Sequence, residues 1–318
     1  MMSRNTYLIS GAAALLIFGG ALMFWQMPSG DSAPEQPVRV LTQPAKQQAA
    51  LPAAAPQPNV PEPAFSDLTL RYRNAKDFRA FLLYLKQHPE KGGGYYANHI
   101  GSLCGSDLIR ANNSLPYQDT VKENYARRAA AFSRLKSLCQ SFLAGDNENM
   151  RFHQDWKEIY EKDRLLALTN KAATQTNPPM NPEQRAEYKK ALLQSSDAIF
   201  HGALGAALAY NRSTDGQSEY WLNGHRISSS GPENQDMRMA FNTVRFELGL
   251  ASDGSDPESV VTCVLTNFCY DNPDEYIRHA MQSEPPEGRE DRIQRAIQWR
   301  KQIGAAILAK DVAFFLPR

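Results

Sequence analysis

The chain of 318 residues is 42% hydrophobic and 22% charged, ordinary values for a globular protein, and its formal net charge is only +1. That balance offers no electrostatic footprint for nucleic acid or another polyanion, so neither is expected as a partner. Four cysteines are too few for a disulfide-scaffolded miniprotein, yet they suffice for two bridges in an oxidising compartment.

The amino terminus reads MMSRNTYLISGAAALLIFGGALMFWQMPSGD. An apolar run from Tyr7 to Trp25 follows Arg4, and about 20 apolar residues are what a helix needs to cross a bilayer core. A cleaved signal should end in small residues, whereas this run ends in the bulky LMFWQMP, with Trp25 placed as an interfacial anchor. The expectation is an uncleaved signal anchor over residues 7–25; cleavage near residue 30 is the alternative. Arg4 on one side, with Asp31 and Glu35 on the other, puts residues 1–6 in the cytoplasm and the rest outside. The implied location is the inner membrane, single-pass, with the carboxy-terminal domain in the periplasm.

Residues 26–65 are rich in Pro, Ala and Gln and carry no core-forming apolar period. Such a stretch cannot offset its ordering entropy by burial and is expected to be a disordered linker. As a polyproline-like spacer it would reach roughly 120 Å, and as a coil about 35 Å.

Helical periodicity begins at Ser66. The first expected helix has Asn74 as N-cap, Asp77 in its first turn and Phe78, Phe81, Leu82 and Leu85 on one stripe, with Pro89 and Gly92–Gly94 ending it. A second runs from Tyr95 to about Ile109 with Ile100, Leu103 and Cys104. A third, about 118–144, places Val121, Tyr125, Phe132, Leu135, Cys139 and Phe142 on one face, where Arg128 must snorkel or pair. A fourth, near 148–173, carries Phe152, Trp156, Ile159, Leu166 and Ala167. Asn181 and Pro182 restart the chain in a helix read as continuous to about Tyr210, its Gly202 and Gly205 permitting a close helix approach. Asn223-Gly224 suits a type I′ turn in one short hairpin. Further helices are expected at about 233–251, 257–266, 273–283 and 288–314. The fold class is therefore all-α: an irregular multi-helix domain over residues 66–318 with one short β-hairpin, preceded by the transmembrane helix and linker.

Two segments carry a resemblance: DFRAFLLYLKQHPEKGGGYYANHIGSLC and VVTCVLTNFC. Their helix–Pro–Gly–aromatic–Cys and Cys-x5-Cys layout is similar to that of loosely related, uncharacterised membrane-anchored or exported all-helical proteins of Gram-negative bacteria. At pattern level the resemblance covers most of residues 70–285. Members often carry a further cysteine pair before the Cys-x5-Cys segment, and FELGLASDGSDP has none. The resemblance implies export and a helical fold, and no activity.

Candidate chemistry begins with the cysteines. Cys263 and Cys269 are spaced too widely for a zinc pair and form no redox Cys-x-x-Cys, so no metal site is expected. Along a continuous helix their Cα atoms would lie about 10 Å apart, beyond the roughly 7 Å limit for a disulfide. A bridge therefore requires the helix to end near Asn267. Local pairing, Cys263 with Cys269 and Cys104 with Cys139, is favoured among three possible connectivities.

The six histidines are scattered, without a His-Glu-x-x-His. His201 lies some 140° from the Tyr188–Leu192–Ile199 stripe, which implies a second packed face or exposure, and His225 is expected to be solvated. GSLCGSD fails as a nucleophile elbow because Leu103 occupies the middle position, and KGGGYY lacks the Lys-Ser/Thr of a phosphate loop. The acidic clusters GDNENM, DWKEIYEKD and EGREDR are interspersed with basic residues and read as solvated helix faces. Arg300 falls inside the apolar stripe Ile293, Ala296, Ile297, Ile303, Ile307 and Leu308. It is expected in a structural ion pair, or else as an anchor for a partner protein's carboxylate. No catalytic residue and no cofactor are expected. The functional expectation is a membrane-tethered domain for protein binding or scaffolding in the envelope. A periplasmic enzyme acting on cell-wall or envelope substrate, or a chaperone-like holdase, are the alternatives.

Overall fold

Short polar caps and prolines at first helical positions punctuate the helices. The computed structural model describes them over residues 67–114, 122–143, 162–174, 180–213, 216–250 and 254–318. All of these residues fall in one contact unit, Glu62–Arg318. The expected span at 7–25 and the linker at 26–65 lie outside the described residues. Among the described residues no helix is long and apolar enough to cross a membrane.

The unit is mostly helical. Helix α1 (Asp67–Asn74) leads into α2 (Phe78–Gln87), and Asp77, not Asn74, is the cap of α2, accepting from Arg79 N. Asn74 instead closes α1, a helix the periodicity did not separate. Phe78, Phe81, Leu82 and Leu85 are buried as the stripe requires. A 3-10 turn at Pro89–Lys91 is followed by α3 (Gly93–Ser102), a π-helical turn (Leu103–Asp107) and α4 (Leu108–Ser114). The KGGGYY segment thus ends one helix and opens the next.

Helix α5 (Lys122–Leu143) buries Leu135, Leu138 and Cys139, while Tyr125 is about half exposed. At that end of the face the buried position belongs to Arg128, whose guanidinium donates to Val264 O at 2.7 Å. This satisfies a carbonyl in the last turn of α10 (Pro257–Thr266), where helical partners run out.

Of the expected fourth helix, α6 (Arg164–Thr174) is described, with Leu166 buried and Ala167 exposed; Phe152, Trp156 and Ile159 lie outside the described residues. The helix expected to run unbroken to Tyr210 is two helices, α7 (Pro182–Leu193) and α8 (Ala198–Ala209). Asn181 and Gln184 form a capping box on α7, whereas Asp197 caps α8 by accepting from Phe200 N at 2.8 Å. A Ser-Ser-Asp run offers the backbone these competing hydrogen bonds and so breaks the helix. Gly205 does permit a close approach: a Cβ there would meet Phe241 Cδ1 at 2.1 Å, so the ring of Phe241, on the helix Pro232–Glu247, seats directly on α8.

The expected hairpin is part of a three-stranded antiparallel sheet in the order β1 (Tyr210–Arg212), β2 (Ser218–Leu222), β3 (His225–Ser228). Asn223 and Gly224 both have positive φ, as a type I′ turn demands. Strand β1 continues directly from α8 and pairs Tyr210 with Tyr220, a tertiary contact that the helical reading of residue 210 missed.

Helices α9 (Pro232–Glu247), α10, α11 (Pro273–Ala280) and α12 (Arg289–Ala309) complete the set, with a 3-10 turn at Ala313–Phe315. Helix α9 packs along α12 on one side and against α8 on the other, and α10 packs on α5. The stripe of α12 is buried at Ile293, Ala296, Ile297, Ile303 and Ile307, but Leu308 in the last turn is half exposed.

Both disulfides exist with the expected local pairing. Cys104–Cys139 ties the π-helical turn to α5 with Cα atoms 5.3 Å apart. Cys263–Cys269 closes at 4.2 Å. Between the latter two, α10 ends at Asn267 in the left-handed conformation, and Asn272 with Pro273 begins α11. The corner is the helix–clasp–helix junction that the spacing required.

Candidate functional site

The chemistry-bearing groups converge where α1, α3, α9 and α10 meet. Each is placed by a local device. Asp256 caps α10, accepting from Glu258 N at 2.9 Å, so Glu258 stands in the first turn. Tyr72 lies in the last turns of α1, and His99 sits one turn after Tyr96 on α3. Tyr72 is fully buried and packs its ring against Phe78, Tyr96 and His99, with centroids 5.5, 5.6 and 5.7 Å away.

The polar edges of these rings meet one carboxylate. Tyr72 OH donates to Glu258 Oε1 at 2.8 Å, and His99 Nε2 bonds to the same oxygen. The side chains of His99 and Glu258 are 18% and 22% exposed, so the pair forms a rim between the core and water. Burial alone would raise the Glu258 pKa. The charge and hydrogen bond of His99, the charge of Arg245 and the Tyr72 hydroxyl reverse that and lower it to about 2. Burial opposes the imidazolium of His99, yet Glu258 outweighs it and raises the His99 pKa. Both shifts favour the imidazolium–carboxylate form of the pair.

Two branches extend from it. On the α9–α10 side, Arg245 reaches Tyr270 OH at 3.3 Å, and Tyr270 OH lies 3.0 Å from Ser259 Oγ, itself bonded to Asp256. Burial raises the Asp256 pKa against the attraction of Arg245. On the α3–α8 side, Tyr96 OH donates to Asp197 Oδ2, which also accepts from Thr69 Oγ1 at 3.0 Å. Asp197 thus caps α8 with one oxygen and gathers α1 and α3 with the other. Asp163 does the same for α6, accepting from Leu166 N and from Tyr95 N of α3, each at 3.0 Å. Burial raises its pKa even so.

The sequence-derived candidates lie elsewhere. The four cysteines are all in disulfides. Arg300 is 4% exposed and donates to Glu247 Oε1 at 2.8 Å and Asp274 Oδ1 at 2.6 Å, so the ion-pair reading describes it. A partner's carboxylate would have to displace these two. His201 is buried with Nε2 3.0 Å from Ser195 O, and the break at residues 194–197 resets the 140° angle measured along a continuous helix. His225 is exposed beside Glu233. In EGREDR, Glu290 pairs with Arg278 on a solvated face as expected, but Arg292 departs from that reading: it turns inward onto the buried Asp236 and onto Glu284, because a buried carboxylate needs a cationic partner.

Among the described residues no group of three or more His, Cys, Asp or Glu side chains could hold a metal. No protein-family model, curated protein or solved structure matches the chain. What the site offers chemically is a fixed charge pair with a solvent-facing rim, whose hydrogen bonds join α1, α3 and α10. His99 was visible in the sequence only as one scattered histidine; Glu258 lies 159 residues further on. The local hint was Ser255-Asp256-Pro257-Glu258, a strong helix start that puts an acid in the first turn.

Proposed function

We propose that this chain is a membrane-tethered, exported helical domain that binds or scaffolds another protein in the cell envelope. The observation that supports it best is the pair of disulfides, which suits an oxidising location outside the cytoplasm. The apolar run at residues 7–25 and the Pro/Ala-rich segment at 26–65 supply an anchor in the inner membrane and a spacer reaching into the periplasm. The resemblance to exported helical proteins of Gram-negative bacteria points the same way. Much of the ionisable chemistry of the folded unit goes into cross-bracing: Asp163, Asp197 and Glu258 each bond to groups on more than one element.

Photo-crosslinking from exposed positions, carried out in cells and followed by membrane isolation, tests this. A discrete protein adduct that sediments with the inner membrane is expected. Recovery of the chain from the soluble cytoplasmic fraction, with reduced cysteines, contradicts it.

A second reading rests on one observation, the convergence of His99, Glu258 and the partly exposed Asp107 at a solvent-facing rim. In an envelope enzyme, Glu258 would orient His99 for proton transfer. His99→Asn separates the two readings: it would abolish turnover of an envelope substrate in the second and leave the crosslinked adduct in place in the first.

A further inference from the structure

The carboxy-terminal segment is seated on a buried amine. Helix α12 ends at Lys310 in the left-handed conformation, and residues 311–318 fold back over α7 and the hairpin turn. Phe315 is fully buried and Phe314 nearly so. Asn223 N in the turn donates to Phe314 O at 2.7 Å, and Arg318 donates to Asn223 Oδ1 at 2.6 Å. From beneath, Lys189 of α7 donates from Nζ to Phe315 O at 2.6 Å.

Lys189 is 1% exposed, and a backbone carbonyl is its hydrogen-bond partner. An ammonium has three donors and a full charge, and burying it against one neutral acceptor is costly. The charged groups around it do not relieve this. Arg185, one turn back on α7, adds repulsion, and Lys171 of α6 stands over the neighbouring Tyr188 ring at 5.5 Å. On α8 the carboxylate of Asp197 is taken by Tyr96, Thr69 and Phe200 N, and His201 faces Ser195 O. On the segment itself Asp311 accepts from Phe314 N and Arg318 is turned to Asn223.

We propose that residues 311–318 are a proton-linked latch, seated on α7 when Lys189 is a neutral amine and loosened when that amine binds a proton. A neutral amine still donates one hydrogen to Phe315 O, so seating keeps the observed bond and sheds the charge. Burial and Arg185 lower the Lys189 pKa from 10.5 to about 7. The depressed value gives the direction: seating is strongest above the open-state pKa of 10.5 and weakens as pH falls towards about 7, below which it levels off. Opening would uncover Phe314 and Phe315 beside α7.

Hydrogen exchange of the full chain in detergent, corrected for intrinsic rates, tests this between pH 6 and 9.5. The amides of Phe315, Leu316 and Asn223 should gain protection by up to about tenfold per pH unit above about 7 and stay level below it. Lys189→Met, or Lys189→Gln if methionine does not fit, should flatten the profile at high protection. Lys189→Arg, which stays charged, should flatten it at low protection. A level wild-type profile overturns the latch, as does an unchanged slope in K189M. Parallel loss of far-UV helix signal over the same range also overturns it, because the proton would then be loosening the whole domain.

Discussion

The two sides of the folded unit are held by different chemistry. On the α5–α10 side the chain is fixed covalently: Cys104–Cys139 joins the π-helical turn to α5, Cys263–Cys269 closes the end of α10, and buried Arg128 bridges the two helices. On the α9–α12 side charge does the same work. Asp236, fully buried, accepts from Arg292 Nε at 2.9 Å and from Arg295 at 2.6 Å, and Arg300 joins Glu247 to Asp274. The His99–Glu258 bridge joins α3 to α10. One side should therefore respond to reductant and the other to charge deletion, with the bridge responding to pH.

Breaking the covalent side should have the largest effect. The double variant C104S/C139S opens a ring with sequence separation 35, and loop entropy predicts a loss of about 3.8 kcal/mol in urea unfolding. On the charge side, Asp236→Asn leaves two guanidiniums with a neutral acceptor and should cost about 3 kcal/mol by the same measurement, unaltered by reductant. The small ring comes next: C263S/C269S should lose about 2.4 kcal/mol, while wild type in reductant should lose both ring contributions and none of the Asp236 contribution.

The bridge responds to pH from both flanks. The depressed pKa of Glu258 gives stability that is present above its ordinary value of 4.5 and lost as pH falls towards about 2. The raised pKa of His99 gives stability that is present below its ordinary 6.5 and lost as pH rises through the higher folded value. The bridge contribution should peak between these limits. Unfolding midpoints of Glu258→Gln and His99→Asn, followed from pH 3 to 9, should show both flanks flattened. A wild-type flank that survives in both variants would assign it to other groups.

The covalent side was far more legible in the sequence than the charge side. Cys263 and Cys269 are six residues apart, so helix geometry alone set the condition that the chain turn at Asn267, and it does. Caps such as Asn181, Asn272 and the Asn223-Gly224 turn were readable for the same reason: their partners lie within four residues. Tyr72, His99 and Glu258 meet across 27 and 159 residues, and no local pattern specifies that meeting. The misplaced boundaries have local causes as well. Asp77 outcompeted Asn74 as a cap because it adjoins the first apolar residue of α2, and Ser195 with Asp197 split a helix whose apolar period runs on regardless.

The cysteine state of the chain taken from its cells tests the central claim of an exported, disulfide-braced domain most directly. Cells are quenched in acid and alkylated before lysis, and the peptides are mapped by mass spectrometry without reduction. The account predicts no alkylated cysteine and two linked pairs, Cys104 with Cys139 and Cys263 with Cys269. Four alkylated thiols, or any other pairing, would contradict it.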